Sequence, residues 1–356
     1  MSPVSASGPN LSGTEGMRMS LSLLYQRNCS RTEITAIGAS SPSSLSSAPS
    51  VFAVYRGMTP ASSWIDVFNL RSGAAISKIS GSGAAFAPPA TATSSSQQKL
   101  ATVRDWAAPI GKAGEEVRYG SSILLRDVMA THGGKPLLEL KNVEQGPIAW
   151  SRDGRLIAAV EGGGEEGSRV GVWDARTGER RGRVLGHSAA VTHIKFTPAG
   201  RLVSLGRDGV VRITNVERGR TEGRLVLPVG GGSAKLLELS EDGRTITSVW
   251  GGGGVYTWDT RLGSVDTYET DVKRTTEGWP LSGGANGRWM VSRTEDGFDV
   301  MDLRVGEVVG EVKRRGEDGI VYTAGAWVEG AAFGDGFVVM GRMDGVVEVW
   351  EVRVKG

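Results

Sequence analysis

The residues able to do chemistry are few in kind. Three histidines, His132, His187 and His193, and the single cysteine Cys29 fall at no recognised zinc-ligand spacing, so no metal is expected. Carboxylates are plentiful, but most sit in turn sequences such as Asp242-Gly243 and Asp344-Gly345, where Asp serves the local backbone. No nucleophile is nominated together with its base, so no catalytic residue and no enzyme are expected. Gly162-Gly-Gly-Glu-Glu-Gly167 matches the glycine pattern of a dinucleotide loop. It lies between strands and opens no helix, and Glu165 and Glu166 would repel a phosphate, so no cofactor is expected either.

Arginine remains. Five apolar runs, Val51-Phe-Ala-Val-Tyr-Arg56, Leu100-Ala-Thr-Val-Arg104, Leu202-Val-Ser-Leu-Gly-Arg207, Trp289-Met-Val-Ser-Arg293 and Val338-Val-Met-Gly-Arg342, each end in one. Its planar fork of donors suits carboxylate or phosphate. The competing reading is that each arginine pairs with a turn acid such as Asp105, Asp208 or Asp344. Residues 169–224 hold eleven Arg and one Lys against two Asp and three Glu, a local net of +7 in a chain whose total is +2. Such asymmetry marks either an interaction face or a solvated edge.

The elements that must carry these residues are strands. Glycine, at 53 of 356 residues, falls mostly at the ends of short apolar runs, where tight hairpins need positive φ. Asp153-Gly, Ala199-Gly, Asp242-Gly, Asn286-Gly and Asp335-Gly separate first from second strands, and Asp208-Gly, Asp296-Gly and Asp344-Gly separate second from third. A segment ending in a bulky residue and then usually Asp or Asn recurs seven times, with bulky positions Phe68, Arg126, Trp173, Thr214, Trp258, Met301 and Trp350. From Trp173 onward the steps are 41, 44, 43 and 49 residues, near the roughly 40 to 45 of a four-stranded propeller blade.

The ends of the chain complete the pattern. Residues 1–16 are rich in Ser, Gly and Pro and are expected to be a disordered tail. Met17 to Tyr25 alternates apolar and polar, a half-buried strand with no neighbour in sequence. Because a third strand, Val346 to Val354, ends the sequence, the N-terminal strand is expected to pair with it and close the ring. Residues 87–98 and 107–120 read as flexible insertions. Arg18, Ser20 and Ser22 interrupt the N-terminal apolar run, so no signal peptide or membrane span is expected. With one cysteine, a cytoplasmic or nuclear location is expected.

The repeat, quoted in Val170-Gly-Val-Trp-Asp-Ala-Arg-Thr-Gly178 and Val346-Val-Glu-Val-Trp-Glu-Val-Arg353, resembles that of the WD40-repeat family over nearly the whole chain. The resemblance implies an all-β, seven-bladed propeller of four-stranded antiparallel blades over residues 17–356. It implies that Trp173, Trp258 and Trp350 are core residues, and that His187, Ser204 and Asp208 belong to a blade-locking hydrogen-bonded set. Thr214 stands where that set has its tryptophan. It further implies that the second-strand arginines, Arg56, Arg104, Arg207, Arg293 and Arg342, gather on the top face as an incomplete basic ring.

For function, the resemblance implies a non-catalytic scaffold, a subunit of a larger complex, binding other proteins, with the ring suited to acidic or phosphorylated peptides. A second reading comes from Trp173-Asp-Ala-Arg176 and Trp258-Asp-Thr-Arg261, which match the Trp-Asp-x-Arg box of substrate receptors for cullin-RING ubiquitin ligases. There Arg176 and Arg261 would face the adaptor. A third is anion or nucleic-acid binding through the basic 169–224 sector, which the small net charge disfavours for nucleic acid, and no membrane partner is expected.

Overall fold

The computed structural model describes residues 18–29, 33–40, 51–56, 63–88, 99–110, 116–129, 135–161, 168–184, 186–226, 234–240, 242–250, 255–260, 265–268, 280–283, 287–303, 306–314, 320–329 and 336–355. The expected tail 1–16, most of the insertion 87–98, and Gly162–Gly167 lie outside them.

Among the described residues all regular structure is strand. After β1 (Arg18–Asn28), the strands β2 (Ile34–Ala39), β3 (Val51–Arg56), β4 (Trp64–Asn69) and β5 (Ala75–Ser80) pair in order as one antiparallel sheet. Then β6 (Ser82–Phe86), β7 (Lys99–Ile110), β8 (Glu116–Asp127), β9 (Leu138–Trp150), β10 (Leu156–Glu161), β11 (Arg169–Asp174) and β12 (Arg180–Val184) form a seven-stranded sheet. Three four-stranded sheets follow: β13 (Val191–Phe196), β14 (Arg201–Gly206), β15 (Val210–Asn215) and β16 (Arg220–Val226), then β17 (Ala234–Leu239), β18 (Thr245–Trp250), β19 (Val255–Asp259) and β20 (Val265–Tyr268), then β21 (Pro280–Gly283), β22 (Trp289–Arg293), β23 (Gly297–Asp302) and β24 (Glu307–Lys313). In the last sheet β25 (Tyr322–Glu329), β26 (Gly336–Arg342) and β27 (Val346–Lys355) are completed by β1.

The architecture is a propeller of four-stranded antiparallel blades. Five such blades stand as separate sheets. Where two more were expected, one continuous sheet is found instead, because β9 runs unbroken: Leu138 to Val143 pairs with β8, and Val143 and Ile148 to Trp150 pair with β10. The strands β2, β6, β9, β13, β17, β21 and β25 each contact the next, and β25 contacts β2. The core lies between the sheets: Ile34 and Phe52 of the first pack with Val339 and Val349 of the last.

Short polar side chains build the turns. Ser151 and Asp153 hydrogen-bond to each other at 2.6 Å while accepting the N–H groups of Leu156 and Arg155, and Gly154 supplies φ 67°. Ser240, Asp242 and Gly243 repeat the arrangement. At the same end of the blades, after the third strands, Asn69 and Asp174 each accept two N–H groups from the turn that follows, and Gly73 and Gly178 close it with positive φ. This is why Asp or Asn follows the bulky position of the repeat.

Three expectations need correction in detail. The N-terminal strand pairs antiparallel with β27, Met19 opposite Val354 and Leu21 opposite Val352, but it continues past the expected Tyr25 to Asn28, while Met17 lies outside the described residues. An extra residue, Leu24, bulges between Leu23 and Tyr25, and Leu23 is 40% exposed. Within the expected insertion 107–120, residues 107–110 and 116–120 are paired strand, continuing the β7–β8 hairpin to Ile110 opposite Glu116.

Candidate functional site

Second strands run antiparallel to first strands, so the end of each second strand lies beside the start of its first: Ile34 opposite Arg56, Tyr322 opposite Arg342, and Arg293 one residue beyond the Pro280–Ser292 pair. Arg207 follows the last residue of β14, Gly206, which stands opposite Val191. Arg56, Arg207, Arg293 and Arg342 therefore share one end of their blades. Arg104 does not end its strand, because β7 continues past it to Ile110. The placement differs there because the apolar run ends at Arg104 while the paired hairpin extends six residues further, to Ile110.

The five differ in how their charge is used. Arg342 pairs with Asp344 and also reaches Glu348 at 3.2 Å. Arg104 pairs with Glu139 at 3.2 Å, while Asp105 accepts from Ser121 and Gln145 instead. Arg293 donates to the carbonyl of Tyr322. Arg207 is exposed. The side chain of Arg56 lies outside the described residues. The turn-acid reading thus holds for Arg342 with Asp344, and Asp208 is committed elsewhere.

Asp208 belongs to the set around His187. His187 Nδ1 lies 3.1 Å from Asp208 and Nε2 lies 2.9 Å from Ser204 Oγ, while Ser188 N–H donates to Asp208. Burial pushes the His187 imidazole below its ordinary range, against the opposing pull of Asp208. Burial alone would raise the Asp208 carboxyl, but the hydrogen bonds from His187 and from the Ser188 and Val210 N–H groups hold it below the usual range. The three residues have the connectivity of a hydrolytic triad. Ser204 is 0% exposed and His187 is buried, so no substrate carbonyl can reach the hydroxyl; the set ties the segment before β13 to β14 and to the turn after it. Thr214, at the bulky position, reaches only Thr221, so the tryptophan link is absent.

Trp173, Trp258 and Trp350 are buried between sheets. Arg176 sits on an exposed turn: Asp174 accepts the Arg176 and Thr177 N–H groups and pairs with Arg181 at 2.9 Å, which leaves the Arg176 side chain facing solvent. Arg261 lies outside the described residues, as does His132.

One polar centre escaped the sequence reading. Glu348, 0% exposed, accepts from Arg314 at 2.5 Å, Tyr322 Oη at 2.7 Å and Trp350 Nε1 at 3.1 Å, besides Arg342. Arg288 and Asp302 form a second buried ion pair at 2.7 Å, with the guanidinium over Trp289. Only the alternation Val347-Glu348-Val349 inside an apolar strand hints at the first. Among the described residues no cluster of three or more His, Cys, Asp or Glu could hold a metal, and no helix is long and apolar enough to cross a membrane.

No family model matches the chain. A stretch of 103 residues is 30% identical to eukaryotic translation initiation factor 3 subunit I of Neurospora crassa, covering 29% of this chain. The match spans 28% of that curated relative, little more than a quarter of its length. Taken with the succession of small antiparallel blades, this similarity supports a β-propeller of the WD40 type.

Proposed function

We propose that the chain is a non-catalytic scaffold that holds other proteins as one subunit of a larger assembly. The observation that carries this reading is the propeller itself, whose large side chains are spent between blades while turns and outer strands face the surroundings. The relative's name, which describes it as a subunit, supports the same reading. We take residues 17–356 as one domain after a tail of 16 residues, located in the cytoplasm or nucleus. We also read β9 as shared by two blades, which gives seven; the circuit of seven contacting strands supports that count.

The docking point we favour is the blade end that carries Arg207, for an acidic or phosphorylated peptide. Arg342 is a poor probe, because a carboxylate there would face the buried Glu348. Arg207→Glu is the better one. Affinity purification of the tagged chain from its native host, with mass spectrometry, identifies the partner; Arg207→Glu should then weaken its binding, and binding to the unchanged chain should fall as salt rises. Full, salt-insensitive retention by the folded variant refutes this docking point, and recovery of no stoichiometric partner refutes the scaffold.

The ligase-receptor reading keeps one supporting observation, the exposed Arg176 on a turn held by Asp174. Its test is whether an adaptor and cullin co-purify and are lost on Arg176→Ala with Arg261→Ala. The basic sector 169–224 supports anion binding as a further reading.

A further inference from the structure

Two blades carry the same construction with opposite charge. In β13–β16, Arg212 stands directly opposite Arg224; in β21–β24, Asp299 stands directly opposite Glu311. The positions correspond: the neighbouring pairs are Ile213 with Gly223 and Val300 with Gly310, and both ladders shift register at the next residue. Along the outer strands, Arg220 and Arg224 bracket Gly223 as Glu307 and Glu311 bracket Gly310.

Like charges directly opposite destabilise a sheet. Asp299 registers this, since its carboxyl is pushed up to about 6 by burial and then by Glu311. Compensation inside the molecule is partial. Arg201 neutralises Glu222, and Lys313 neutralises Glu311 at 2.9 Å. Arg212 gives one donor to the Gly186 carbonyl, while its Nε is buried without a hydrogen-bond partner. Arg220, Arg224 and Glu307 are exposed, and each outer strand also exposes a valine beside its charges, Val226 at 55% and Val308 at 42%. Both strands are sheet edges.

We propose that the β16 rim of one molecule docks against the β24 rim of a second copy of this chain, with Arg220 and Arg224 meeting Glu307 and Glu311. The register shift in each outer strand reduces the step between the two charges to three rungs of the ladder, about 10 Å on either strand, so the charges match in spacing. With the strands antiparallel, Arg220 meets Glu311 and Arg224 meets Glu307. A second copy is the occupant because both halves of the complement stand in this chain at corresponding positions. A nucleic acid or an acidic peptide would use only the basic rim and leave the acidic pair unanswered. The two surfaces differ, so the contact is head-to-tail. It goes beyond the scaffold reading and does not depend on it.

Light scattering after size exclusion tests it on the full chain at about 50 mM and about 500 mM salt. At low salt the average mass should rise toward twice the monomer or more with concentration, and at high salt it should return to the monomer. Arg220→Glu with Arg224→Glu, and Glu307→Arg with Glu311→Arg, should each be folded and monomeric alone; mixing the two variants in equal amounts should restore association. A wild type monomeric at every salt, a reversed variant that still associates, or a mixture that stays monomeric overturns the proposal. A monomeric wild type that captures duplex nucleic acid or poly-glutamate on the basic rim overturns it too.

Discussion

His193 lies largely inside the molecule on β13, and burial, followed by the nearby Lys195, pushes its imidazole down to about 4. Below about pH 6.5 the unfolded chain therefore binds a proton that the folded chain refuses. Stability should fall as the pH drops from about 6.5 toward 4, by about 3 kcal/mol in total from this residue, and no further below that. His187 acts in the same direction. Asp299 acts in the opposite one, because its carboxyl, raised to about 6, keeps in the folded state a proton that the unfolded chain releases. Comparing denaturant unfolding of the wild type and His193→Gln at several pH values separates the terms. A variant that loses as much stability on acidification as the wild type would show that His193 is not the group responsible.

Glu348 tests a different residue-scale effect. Its removal leaves Arg314 and Arg342 facing each other without their shared acceptor and strands Tyr322 Oη and Trp350 Nε1. Glu348→Ala should cost about 3 to 5 kcal/mol, read as a drop in melting temperature, whereas Glu348→Gln, which keeps an acceptor, should cost less; equal loss would assign the effect to packing. Beyond the alternation around Glu348, none of this is legible in the sequence. Turn chemistry such as Ser240-Asp242-Gly243 is local and shows in the sequence, but Glu348 draws partners from strands and turns up to 34 residues away. The pairing of the arginines is hidden in the sequence for the same reason, since Glu139 and Glu348, not turn neighbours alone, reach Arg104 and Arg342.

At the scale of the element, β1 shows how far alternation carries. Period-2 patterning identified the strand and its partner, because a strand with one buried face must write that face into its sequence. The bulge at Leu24 was invisible, since an extra residue leaves the composition unchanged. Met19 and Leu21 face Gly310 of β24, where a Cβ would stand 2.6 Å from Leu21 Cδ1 and 3.2 Å from Met19 Cβ. Gly310→Ala should thus lift β1 from the neighbouring blade and cost about 1 to 3 kcal/mol. Leu23→Ser, at an exposed position, should stay within about 0.5 kcal/mol. Thermal melts of the two variants check both, and a larger effect at Leu23 than at Gly310 would contradict the register. In β9, Gly146 and Pro147, residue types that usually interrupt a strand, lie inside a continuous one.

For the whole molecule, the decisive contact joins the ends of the chain. Thr323 Oγ1 on β25 donates to the Ile34 carbonyl on β2 at 2.6 Å, across 289 residues of sequence. Gly341 on β26 sits so close to Ile34 that a Cβ there would lie 2.5 Å from Ile34 Cγ2. The repeat period announced blades, but only three-dimensional contact shows that the last blade leans on the first. In an open array each repeat answers mainly to its neighbours, and damage at one seam stays local. Where the strands form a circuit, weakening that seam removes support from both sides at once. Gly341→Val should therefore lower the melting temperature of the entire chain in a single transition, at a cost of about 1 to 3 kcal/mol, with calorimetric and van't Hoff enthalpies staying equal. An early, separate transition confined to the blades beside the seam, with the remainder melting at the wild-type temperature, would mean that the blades are energetically independent despite their contact.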